Sequence, residues 1–201
     1  VNARLIAAAL LFAGALILGF WLKLGGHPAF DPWLSHIAST GREQSDFWLF
    51  LSRFGQGRVV GALALLAALA LWVTGRGRAA VVLAAVVAVQ MATNPLLKLL
   101  FARVRPDLFE HLDVVNDLSY PSGHSAQNAC FYLLLAMILH RHTAWIGVPI
   151  ALLVGMSRVV LGVHWPTDVI GGWMEGAAFA LVGAWIVDQS SSSFPRKRGP
   201  S

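Results

Sequence analysis

The sequence predicts an all-α integral membrane protein, a bundle of six transmembrane helices with an interfacial segment between the first and the second. Three observations lead there. Of 201 residues, 57% are hydrophobic and 12% charged, about half the charged share of a soluble domain. The apolar residues gather in runs near the length of about 20 that a helix needs to cross hydrocarbon. The runs also lack the alternation of barrel strands, which leaves helices to satisfy their own backbone in lipid. The same composition excludes disorder, a coiled coil and an ordinary cytosolic enzyme. The one cysteine, Cys130, excludes an internal disulfide framework and a cysteine-based zinc site. The net charge of +5 is scattered singly between apolar runs, with no stripe suited to nucleic acid.

The first run, Leu5–Leu22, follows Arg4. It is longer than a signal core and lacks a small-residue cleavage site, so it reads as a retained span. Gly25–Gln56 carries Trp33, Phe47, Trp48, Phe50 and Phe54 among polar residues, with no run long enough to cross. It is expected to lie in the interface plane. Val59–Thr74 is short and is joined to Ala79–Leu97 by a turn holding Arg76 and Arg78. Ser125–Leu139, Trp145–Val163 and Asp168–Val187 complete the six, with Trp21, Trp72, Trp145, Trp165 and Trp185 at or near helix ends, where amphipathic rings settle. Gly172 and Gly176 suit close helix packing, and Glu175 between them is expected to make a buried hydrogen bond. Residues 1–189 thus form one membrane domain, and 190–201, four serines followed by Phe-Pro-Arg-Lys-Arg, read as a disordered tail. Counting Lys and Arg loop by loop does not settle orientation. The tight Arg76/Arg78 turn favours both termini on the cytoplasmic side, together with Arg4, Arg141, Arg196, Lys197 and Arg198.

Three polar clusters interrupt this apolar chain, and ionisable groups at membrane helix ends are functional candidates. The first is Lys98 with Arg105-Pro106. If the helix runs on to Pro106, seven residues return Arg105 to within about 20° of the Lys98 face. Two stacked cations then call for an anion between them. On the same wheel Arg103 points away and reads as a solvated or headgroup charge. The second cluster is Pro121-Ser122-Gly123-His124. Ser122 is a natural N-cap, Gly123 admits close backbone approach, and a helix N-terminus is a ready phosphate site. The third is Ser157-Arg158, then His164, then Asp168. A carboxylate on one imidazole nitrogen leaves the other free as a nucleophile, and Arg158 offers a fork for phosphate oxygens. In a six-helix bundle all three clusters open on one side. Their union suits in-line attack on a phosphate. The acids Asp107, Glu110, Asp113 and Asp117 show no ligand-like spacing for a metal.

Together these three motifs resemble the signature of the type 2 phosphatidic acid phosphatase family, which also includes vanadium-dependent haloperoxidases. The resemblance spans residues 98 to 168 and is specific, with all three motifs intact and in order. It implies a six-helix phosphatase of a bacterial plasma membrane, working without a metal or other cofactor at an extracytoplasmic site. It further implies His164 as the nucleophile, Asp168 as its orienting carboxylate and His124 as the acid for the leaving group. Lys98, Arg105, Ser122, Gly123, Ser157 and Arg158 would hold phosphate. The expected partners are the bilayer and a lipid substrate: phosphatidylglycerol phosphate, phosphatidic acid or undecaprenyl pyrophosphate, with a lipid A phosphate as the alternative. A non-enzymatic membrane protein or transporter explains the helices equally well but not the triple spacing.

Overall fold

The computed structural model describes residues 2–139 and 145–191, and every regular element among them is helical. The predicted runs each become a helix. α1 (Ala3–Lys23) starts where the Asn2 side chain accepts the Arg4 N–H at 2.9 Å. The Gly25–Gln56 segment folds as α2 (Phe30–Ser39), a 3-10 turn (Thr40–Gln44) and α3 (Ser45–Phe54). α4 (Gly57–Val73) and α5 (Gly77–Phe101) follow, then α6 (Gly123–Leu139), α7 (Gly147–Val160) and α8 (Pro166–Ser191). Among the described residues α1, α5 and α8 are each long and apolar enough to cross a membrane. The α2–α3 segment together with α4 passes the same test as one span bent by 49°. α8 continues through Ser191, while the rest of the predicted tail and Arg141 lie outside the described residues.

α8 is the central staff. It packs against α6 and α1 along most of its length and touches α5 and α7. The approach to α6 is close because α8 presents glycine there: a Cβ on Gly176 would lie 2.1 Å from the Ala126 carbonyl oxygen, and one on Gly172 would lie 2.5 Å from that of Ser122. Below this contact Leu83, Val87, Cys130, Phe131, Leu134, Ile138 and Ala180 form the apolar core. Glu175, fully buried, accepts hydrogen bonds from Gln90 (3.0 Å) and Asn94 (2.7 Å) on α5, which satisfies the predicted buried acid.

Two corrections concern the end of α5. The helix stops at Phe101, because Ala102 takes a left-handed conformation (φ 52°) and returns its N–H to the Lys98 carbonyl. Arg105 is therefore outside the helix, and the wheel placing it over Lys98 does not apply. Arg103 is not a solvated charge either. The turn folds it inward, where it pairs with Asp31 and Asp168.

Candidate active site

The three clusters converge at one end of the bundle on a cavity of about 290 Å3. Lys98, Arg105, Gly123, His124, Arg158 and His164 all line it. Each arrives by a local device. Lys98 rides the last turn of α5, and Gly123 and His124 open α6. The Ser122 oxygen caps α6, facing the Ser125 N–H at 3.5 Å and accepting from the Ser125 hydroxyl at 3.0 Å. Arg158 sits in the last turn of α7, and its carbonyl accepts the N–H groups of Val163 and His164. Gly162 makes that tight turn possible with φ 76°, so His164 is held just beyond Arg158.

Behind His164 stands Asp168, fully buried in the first turn of α8. Its Oδ2 faces His164 Nδ1 at 3.4 Å and accepts the Trp165 N–H at 2.8 Å. The same oxygen accepts the Ser119 hydroxyl at 2.5 Å, and Oδ1 accepts from Arg103. With Nδ1 on the Asp168 side, Nε2 is the ring atom beside Arg105, at 3.2 Å. Burial, helped by the charges of Arg105, Lys98 and Arg158, pushes the His164 pKa well below its usual 6.5. His164 is thus a neutral base at neutral pH. His124 and Arg158 both line the cavity, and within them His124 Nε2 and Arg158 Nε are buried without a hydrogen-bond partner among the described residues. Buried polar atoms of this kind are costly unless something completes them.

Ser122 and Ser157 are not on the cavity wall. Ser122 is occupied as the α6 cap, and the Ser157 hydroxyl donates to the Val154 carbonyl one turn back in α7. Among the described residues no three His, Cys, Asp or Glu side chains gather as a metal cage. The loop acids serve instead as counter-charges. Asp113 pairs with Arg158 at 2.5 Å and accepts from Ser52 at 2.9 Å. Asp117 bridges Lys98 (3.0 Å) and Arg105.

Comparison with known proteins identifies the family. The model of the PAP2 superfamily matches residues 78–192, which hold all three clusters. The chain belongs to the PAP2 superfamily. This PAP2 chain is 45% identical over 94 residues to a phosphatidylglycerophosphatase B of Bacillus subtilis, a match covering 41% of this chain and 45% of that protein. It is 36% identical over 155 residues to a decaprenylphosphoryl-5-phosphoribose phosphatase of Mycobacterium tuberculosis, covering 74% and 81%. A crystal structure of a transmembrane PAP2-type phosphatidylglycerolphosphate phosphatase from Bacillus subtilis superposes with a TM-score of 0.77 at 26% identity, covering 95% of this chain and 98% of that one. The fold therefore extends well beyond the matched motifs. The first of these matches spans less than half of the relative's length.

Two results follow from the charges of the PAP2 site. Three cations, Lys98, Arg105 and Arg158, face two carboxylates, Asp113 and Asp117. Burial alone would raise both acids, but Arg158 holds Asp113, and Lys98 with Arg105 hold Asp117, below the usual carboxylate range. An anion entering between Lys98 and Arg105 would compete with Asp117, which pairs with both. The Asp117 side chain is 58% exposed, so its hold is worth about 1 kcal/mol. Asp117→Asn is therefore expected to tighten vanadate inhibition about fivefold; weaker inhibition would mean that Asp117 assists the anion. The second result concerns His164. Its folded pKa lies below the unfolded 6.5, so the unfolded chain binds the proton more readily. The resulting stability is fully present above pH 6.5 and is lost as pH falls through the folded value. Nitrogen-15 spectra in micelles should keep the neutral pattern for His164 when pH passes down through 6.5. Half-protonation at 6.5 or above would refute the shift.

Proposed function

We propose that this protein is a metal-independent lipid phosphatase of a bacterial plasma membrane, working through a phosphohistidine. One observation carries the reading: His164, with Nδ1 facing the Asp168 carboxylate, lines a cavity walled by Lys98, Arg105 and Arg158. His164 Nε2 attacks phosphorus, and the imidazolium that forms is stabilised by Asp168 through Nδ1–H. The three cations and the N–H groups at the start of α6 neutralise the non-bridging oxygens, whose charge must be met throughout transfer. Protonated once the substrate anion is bound beside it, His124 donates that proton to the leaving lipid oxygen. It then takes one from the water that cleaves the phosphohistidine, regenerating His164 and releasing inorganic phosphate.

The membrane-spanning helices and the names of the relatives support a lipid substrate. Orientation is supported by the end of the bundle remote from the cavity. There Arg76 donates to the Ile138 carbonyl, Arg78 to that of Ile186, and Arg4 pairs with Asp188. Clustered arginine favours a cytoplasmic face, which supports termini inside and the cavity outside. The test is phosphate release by detergent-purified protein with EDTA present, on phosphatidic acid, phosphatidylglycerol phosphate, undecaprenyl pyrophosphate and lipid A. Turnover that persists in EDTA is expected, and its rank order names the lipid. Activity abolished by EDTA and restored by a divalent cation would overturn the mechanism.

A further inference from the structure

Asp31 lies in α2, far in sequence from every motif, and yet is almost completely buried. α2 turns Phe30, Trp33 and Ile37 outward and this one carboxylate inward. Its Oδ1 accepts the Thr167 N–H at 2.9 Å, and its Oδ2 accepts the Thr167 hydroxyl at 2.6 Å and Arg103 Nη2 at 2.7 Å. Thr167 is in the first turn of α8, whose leading N–H groups have no partner within the helix. Asp31 therefore caps α8 from another helix, with a charge suited to the positive end of its dipole. The other nitrogen of the Arg103 fork, Nη1, reaches Thr167 Oγ1 at 2.7 Å and Asp168 Oδ1 at 2.5 Å. The Arg103 guanidinium also stands 5.5 Å from the Trp165 ring.

We propose that Asp31 is a positioning residue for catalysis. Through Arg103 and Thr167 it fixes the first turn of α8, and so fixes the Asp168 carboxylate against His164. Neither Asp31 nor Arg103 lines the cavity with Lys98, Arg105 and Arg158; both line the adjoining cavity of about 580 Å3, which shares Arg105, so neither is among the groups placed to touch a bound anion directly. The inference rests on the phosphohistidine reading above.

The experiment uses the full chain in mixed micelles with phosphatidylglycerol phosphate, inorganic vanadate as the anion probe, and His164→Ala as reference. Asp31→Asn keeps shape and removes charge. It should lower kcat about 10- to 100-fold, as loss of an orienting partner commonly does, with KM and vanadate inhibition unchanged. Arg103→Lys, which keeps the cation and loses the fork, should fall between wild type and Arg103→Met. In an Asp168→Asn background, Asp31→Asn should cost nothing further, because its route of action is already cut. A full additional loss there, or a parallel loss of vanadate binding, would reduce Asp31 to a structural residue and overturn the proposal. An unchanged kcat in Asp31→Asn, with His164→Ala inactive, would overturn it while leaving the mechanism standing. Wild-type activity that survives His164→Ala would instead sink the mechanism, and the proposal with it.

Discussion

His164→Ala is expected to lower kcat about 10^4- to 10^6-fold, the scale on which removal of a covalent nucleophile acts. The size of the loss follows from what remains. Lys98, Arg105 and Arg158 still wall the cavity and keep their charges for an anion, but no other described residue lining it has an imidazole nitrogen facing a fully buried carboxylate. The substitution should not unfold the protein. Asp168 keeps Ser119, the Trp165 N–H and Arg103 as partners, so no buried charge is stranded, which is the usual route to a severe loss of stability. Melting in detergent should change by no more than a deleted buried side chain explains. Wild-type protein quenched during turnover should retain a phosphoryl group that the variant lacks. A variant melting like wild type and turning over within tenfold of it would remove His164 from the nucleophile's place.

What the sequence disclosed depended on whether a local rule governed it. The apolar runs became helices because lipid leaves the backbone no alternative, and the clusters met because parity puts their loops at one end. His124, His164 and Arg158 were legible for the same reason: each is tied to a helix terminus by a short spacing. The loop between α5 and α6 obeys no period. Asp113 and Asp117 show no ligand-like spacing in the sequence, and their role as counter-charges is hidden there because their partners Arg158 and Lys98 lie 45 and 19 positions away in the chain. Charge balance is the available signal, because Lys98 and Arg158 are buried and Arg105 nearly so, and cations in such surroundings need counter-charges nearby.

Arg103 failed for a different reason. The wheel that aligned Lys98 with Arg105 assumed a helix up to Pro106, whereas Ala102 breaks it in a left-handed turn. Beyond such a break helical phase carries no information, so Arg105 reached the cavity by the loop and Arg103 turned inward. Asp31 and Ser35, both buried and four apart on α2, did leave a trace. They form a small polar face opposite Phe30, Trp33 and Ile37, a sign that this side of an interfacial helix meets protein rather than water.

Gly176→Ala should destabilise the protein by about 1 to 3 kcal/mol, the cost of overpacking a close contact, and should also slow the reaction. The added methyl would meet the Ala126 carbonyl oxygen at 2.1 Å and its carbon at 2.9 Å. Both are backbone atoms within a helix and cannot rotate away, so α8 must move from α6. Those two helices carry Asp168 and His124 at their adjoining ends, and displacement by about 1 Å at a reacting centre costs about 100-fold in rate. Gly61→Ala is the control: nothing lies within 4 Å of its Cβ position, and alanine in a helix interior should stabilise by about 0.5 to 1 kcal/mol. Melting temperatures and kcat of the two variants separate packing from catalysis. If Gly176→Ala melts early but turns over at the wild-type rate, the α6–α8 contact holds the fold without setting the distance between the two histidines. If both fall together, the glycine face of α8 is what brings the halves of the site into register.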